Sequence, residues 1–165
     1  MKAISGTQPW FWAIVRWGKR IENRSRKDGR MPTICRHRGP LLLHASKGMT
    51  QQQYNDSVLT MCERGLVRSP ISEELVRDNL RRGGIVGVCN AIAHIDPSGR
   101  VWLDPEGTEE EPELAASLDW RWWFKGSYAL VLADVRRTKL VPCRGALGLW
   151  TPPQDVVERA LGGAR

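Results

Sequence analysis

Lys19, Glu22 and Arg24 follow closely on Gly18 in the stretch Trp17-Gly18-Lys19-Arg20-Ile21-Glu22-Asn23-Arg24. An ammonium, a carboxylate and a guanidinium held together can bind phosphate, grip a base edge, or exchange a proton as acid and base. Alternation along a strand points Arg20, Glu22 and Arg24 to one face and Lys19, Ile21 and Asn23 to the other. A twisted or bulged start after Gly18 would bring Lys19 round to Glu22. Spacing alone favours a strand-edge ion pair over a site. A second group is His44-Ala45-Ser46-Lys47-Gly48, where an apolar strand gives way to a helix. The Ser46 hydroxyl and Lys47 fall at or before a helix N-terminus, whose free amides attract anions. The run lacks the GxxxxGK pattern, so it is not a P-loop. His44, like His94 in its own strand, reads as a core histidine before it reads as a base.

Two further clusters lie toward the C-terminus. In Asp119-Trp120-Arg121-Trp122-Trp123-Phe124-Lys125-Gly126, aromatic and basic residues alternate. Such a segment can be a stacking platform with phosphate anchors, and a tryptophan cover packed on a barrel fits it equally well. In Cys143-Arg144-Gly145-Ala146-Leu147-Gly148-Leu149-Trp150 a strand end turns through glycines, which lets another backbone or a ligand approach closely. There is no GxSxG elbow, no HExxH helix and no deaminase pattern, since Pro142-Cys143 lacks its second cysteine. Cys35-x-His37 is the one metal-like pair. Without a spaced second pair a short basic loop explains it better, so neither metal nor cofactor is expected.

The elements that must position these residues are read from periodicity. Residues 2–5 form a short strand. Pro9 opens a helix with Trp10, Ala13, Ile14 and Trp17 as its buried stripe, and Gly18 ends it. Residues 19–24 alternate like a strand, residues 25–40 are a basic loop, and 41–45 an apolar strand. Thr50 and Gln53 make a capping box for a helix whose stripe is Tyr54, Val58, Met61 and Cys62, closed by Gly65. A third helix is expected from Ser69-Pro70 or Ser72 to Arg82, with Glu73 and Glu74 at its start and Arg77, Arg81 and Arg82 at its end. Residues 85–95, 128–136 and 139–143 read as strands, and 155–161 as a C-terminal helix. Strands and helices mix without strict alternation. The expected class is therefore α+β, a small, mostly antiparallel β-barrel surrounded by helices.

The chain has 165 residues, which suits one domain. Within it, residues 104–119 read as an acidic, solvated loop insertion and residues 152–165 as a C-terminal tail or helix. Of its 25 basic residues 19 are Arg, and eight Trp stand against two Phe and two Tyr. Forked guanidinium contacts to phosphate and flat rings for bases are what nucleic-acid binding uses. The net charge of +7 is uneven. Residues 1–50 carry +9 and residues 120–165 carry +5, whereas residues 100–119 carry −6. If the two ends meet in space they build one basic face. No apolar run approaches the ~20 residues of a membrane span, and no secretory leader is visible. Four scattered cysteines fit a reduced, cytoplasmic setting, with Cys62 and Cys89 as small hydrophobes.

Five short blocks then occur in a telling order. They are Gln8-Pro9-Trp10; Gly18-Lys19 with Glu22 and Arg24; Gly39-Pro40-Leu41-Leu42-Leu43-His44-Ala45-Ser46-Lys47; Gly84-Ile85-Val86-Gly87-Val88; and the Cys143 to Trp150 run. In type and order they resemble the ASCH domain family over nearly the whole chain. The resemblance implies a PUA-like β-barrel with a cleft beside the first helix, and it places Lys19, Glu22 and Arg24 in that cleft. There are departures. The family's glycine two before the lysine is Trp17 here. The branch resembling amidohydrolases of N-acylated cytidine has Thr where this chain has Glu22, and relatives credited with single-stranded RNA cleavage carry Ser where it has Ala146. The expected function is thus a nucleic-acid-binding module for RNA or single-stranded DNA, reading one base or modified nucleotide in a basic cleft. Lys19, Arg24, Lys47 and Arg144 would neutralise phosphates or hold a base edge, Trp10 or Trp12 and the Trp120 to Phe124 segment with Trp122 would stack, and Glu22, Ser46 and Trp150 complete the expected site. The alternative is a metal-independent hydrolase, a ribonuclease or a nucleoside amidohydrolase, with Lys19 or Lys47 and Glu22 as its catalytic groups.

Overall fold

A computed structural model describes residues 1–24, 28–67 and 75–164. The chain runs β1 (Lys2–Gly6), α1 (Trp10–Trp17), β2 (Ile21–Arg24), β3 (Gly39–Ala45), α2 (Gln51–Glu63), β4 (Gly84–Ile95), β5 (Val101–Trp102), α3 (Pro112–Ala116), β6 (Tyr128–Pro142), β7 (Leu149–Trp150) and α4 (Gln154–Gly162). The fold is α+β, with a curled sheet in the order β2-β6-β4-β3-β1-β7 and β5 paired to β4. β1 and β3 run parallel and every other pairing is antiparallel, so the sheet is mixed. It forms a half-barrel with β2 and β7 at its margins.

The curl has a local cause. Register slips three times along β4 and β6, and Asp134 in β6 takes a φ of 51°. Such irregularities bend a strand and increase its twist. Residues 128–136 and 139–143 are accordingly one long bent strand rather than two. Two apolar clusters fill the half-barrel and the space under α1 and α2, around Ile4, Phe11, Leu43 and Leu130 and around Met61, Leu75, Ile95 and Val131. A third, with Leu42, Ile85, Val157 and Ala160, packs α4 on the outer face.

Several expectations change. The start of the expected third helix lies outside the described residues, and its described remainder holds only a 3-10 turn at Arg77–Asn79. In the basic loop a 3-10 turn, Thr33–Arg36, buries Ile34 and Cys35. The acidic stretch is not a freely solvated loop: it carries α3 and buries Leu118. Arg38 ties it down by donating to the carbonyls of Leu103, Trp102 and Asp104 and to His94 Nδ1. Asp104 accepts the amides of Glu106, Thr108 and Glu109 and the Thr108 hydroxyl, and the bonds from Glu109 and Thr108 lower its carboxyl pKa to about 2. Among the described residues no helix is long and apolar enough to cross a membrane.

Candidate functional site

Gly18 closes α1 with a φ of 68°, a left-handed conformation that glycine adopts without steric penalty. Lys19 N–H then returns to Ala13 O at 3.2 Å, and strand pairing begins only at Ile21. Lys19 is therefore free of the strand's alternation, and its Nζ turns inward to Glu22 Oε2. The other Glu22 oxygen accepts Arg24 Nη2 at 3.1 Å, and the same nitrogen donates to Ser5 O at 3.1 Å. β2 is thereby tied by a side chain to the end of β1, across the open side of the half-barrel.

Lys19 is 1% exposed. Burial pulls its pKa below that of an ordinary ammonium, Glu22 opposes the shift, and Arg24 adds to it. The triad forms the floor of a cleft of about 450 Å³. Trp10 and Phe124 supply an aromatic wall, their rings edge-on at 5.6 Å, and the Arg64 guanidinium lies 4.5 Å from the centre of the Phe124 ring. Asn23 holds that wall in place: it donates to Trp122 O at 2.7 Å and accepts Phe124 N–H at 2.8 Å.

A second cavity of about 750 Å³ adjoins the first and shares Ser5, Ser46 and Leu147 with it. His44, Lys47, Arg144 and Gly145 line it further. Ser46 is pinned between the two cavities by its N–H to Gly6 O at 2.8 Å. The cations thus come from both ends of the chain, Lys19, Arg24 and Lys47 from one and Arg144 from the other. Lys47 lines only the second cavity and does not join the Glu22 cluster.

Three of the tryptophans expected at the site are placed elsewhere. Trp12 is buried against Trp17, with ring centres 4.3 Å apart, and Trp122 is buried in the same core cluster. Both belong to segments that carry the site, α1 and residues 120–124, but packing turns these two rings inward and leaves Trp10 and Phe124 facing the cleft. Trp150 lines neither cavity. It is half-buried in β7, edge-on to His44 at 5.7 Å. Ser5 and Leu147 line both cavities although spacing singles out neither, and Phe124 lies within the aromatic segment expected to stack. Ser5 reaches the site through the parallel pairing of β1 with β3, which no local pattern announces. Among the described residues no three His, Cys, Asp or Glu side chains gather as metal ligands. Cys35 is buried, and His37 instead contacts Pro40 O at 3.2 Å. No family model matches this chain, and no curated protein matches it either.

Proposed function

We propose that the half-barrel is a PUA-like domain of the ASCH type and that its cleft binds RNA or single-stranded DNA, taking in one base or modified nucleotide. The observation that carries this reading is the buried Lys19–Glu22–Arg24 triad beside the Trp10–Phe124 wall. A base edge presents donors and acceptors side by side. Lys19 and Arg24 donate and Glu22 accepts, so the floor can answer both kinds of group. The aromatic wall supplies the contact for the base's flat face, worth ~1–3 kcal/mol. Lys47 and Arg144, exposed on the second cavity, are placed for phosphates of the same strand.

Anisotropy with labelled single-stranded RNA and DNA tests this reading. Two phosphate contacts give a slope of about −1.4 for log affinity against log salt. Lys47→Ala with Arg144→Ala should flatten that slope while leaving the fold intact. Binding should also quench tryptophan fluorescence through Trp10. No binding to any oligonucleotide at low salt overturns the reading.

One observation favours hydrolysis as the second reading. A lysine whose proton is loosened by burial, hydrogen-bonded to a carboxylate, can exchange that proton with a substrate. Cleavage of single-stranded RNA or of an N-acylated nucleoside, abolished in Lys19→Ala and Glu22→Ala, would support it. Intact substrates at high protein concentration would remove it.

A further inference from the structure

We propose that Leu147 is a wedge between two consecutive nucleotides of a bound single strand, directing one base into each cavity. The inference rests on the nucleic-acid reading above and adds the minimal ligand, a dinucleotide step. Leu147 is 98% exposed, a large apolar group standing in water. It stands in the turn between β6 and β7 and belongs to the wall common to both cavities. Cations flank it on either side, Arg24 in the first cavity and Lys47 and Arg144 in the second.

The floor beneath this turn is unsatisfied. Ser5 and His44 are register partners across β1 and β3, so their side chains rise on the same face. His44 is 3% exposed, and its Nε2 lies 3.1 Å from Cys143 O, where it must be the donor. Its Nδ1 is therefore an acceptor, and both Nδ1 and Ser5 Oγ are buried without a hydrogen-bond partner. Both aim at Gly145: a Cβ there would lie 2.5 Å from Nδ1 and 2.8 Å from Oγ. Two polar atoms thus lie unsatisfied beside the turn, and a ribose 2′-hydroxyl, which both donates and accepts, can satisfy them. A strand crossing from one cavity to the other passes over this floor, with its consecutive bases on opposite sides of Leu147. Apolar side chains inserted between bases act in this way, unstacking a step so that more of the strand can be gripped.

An RNA oligomer with two adjacent 2-aminopurines and a terminal fluorescein separates binding from unstacking. Anisotropy reports binding, and 2-aminopurine fluorescence rises when the pair is splayed. Wild-type protein should bind and raise the signal several-fold. Leu147→Ala should bind within about tenfold of wild type and lose the rise, and Leu147→Met should restore it. Wild-type binding with no rise, or a full rise in Leu147→Ala, overturns the wedge and leaves the binding reading standing. No anisotropy change in wild type removes the binding reading, and the wedge with it. Among the described residues Leu147 belongs to no core cluster, so its variants are expected to fold.

Discussion

An ammonium stripped of water needs compensation, and Lys19 finds it in Glu22, which Arg24 grips from the other side. Breaking a buried pair by removing one partner leaves the other charge stranded and costs about 3–5 kcal/mol. Lys19→Met should lower stability by about 3 kcal/mol, because Arg24 remains as a partner for Glu22, and Glu22→Gln by about 4 kcal/mol, because it leaves the Lys19 ammonium buried beside a second cation. The double variant should lose less than the two single losses together, since neither charge then remains unmatched. Urea denaturation of the four proteins measures this. The thiols give a second expectation. Burial pushes Cys35 and Cys89 up to about 12, so both stay protonated at mildly alkaline pH. An alkylating reagent should modify Cys62 and Cys143 in native protein and reach the other two only after unfolding. Lys19, Glu22 and Arg24 could be picked out in the sequence by residue type and spacing. Their convergence depended on where β2 begins, and alternation by itself would have kept Lys19 and Glu22 apart.

At the scale of elements, α1 aims the cleft. Phe11 packs directly on Gly6, where a Cβ would meet the ring at 2.2 Å. Gly6→Ala must push the helix off the end of β1. It should cost about 1–3 kcal/mol by overpacking and weaken oligonucleotide binding as well, because Trp10 moves with the helix. The helix α2 provides the contrast. Thr50 and Gln53 form the expected capping box, with Gln53 N–H to Thr50 Oγ1 at 3.1 Å and Thr50 N–H to Gln53 Oε1 at 2.9 Å. Thr50→Ala should cost about 1 kcal/mol and leave affinity unchanged, since no residue of α2 lines either cavity. Thermal melting paired with anisotropy separates the two behaviours. The extents of both helices were legible because start signals and terminating glycines are local, but the stripe of α1 was not: Phe11, Trp12, Ala13 and Ile14 are buried, whereas Trp10 faces the cleft and Trp17 is half-buried. The bend that joins residues 128–136 to 139–143 was not legible either, because the register slips that produce it belong to the pairing with β4.

Across the whole molecule, charge and burial set the response to pH. Burial lowers the pKa of His44 and His94, and Arg38, donating to His94 Nδ1 at 2.9 Å, lowers the latter further. Both rings are therefore neutral in the fold and readily protonated once it is lost. As pH falls below about 6.5, the unfolded chain takes up protons that the folded chain refuses, and stability declines. It is fully present above that value. The limiting slope is about 1.4 kcal/mol per pH unit for each histidine. His94→Gln, compared with wild type in unfolding experiments between pH 4.5 and 7.5, should flatten the decline after its own loss at neutral pH is subtracted. The same scale explains the acidic stretch. Its charge reads as a solvated loop, yet it ends in Leu118 and the packed Trp120 to Phe124 segment, and Arg38 anchors it to the sheet.

The Lys19–Glu22–Arg24 cluster was implied by the family resemblance; the sequence by itself determined the α+β class, the helices α1 and α2 and the basic character of the chain's two ends. These follow from periodicity, turn chemistry and charge, which act over a few neighbouring residues. Only the tertiary structure decided which tryptophans face the cleft, that β1 runs parallel to β3, and that Ser5 and Leu147 stand where two cavities meet. Those outcomes depend on contacts between residues far apart in the chain. A ring such as Trp12 or Trp122 is equally suited to a core or to a base until packing leaves it one side to face.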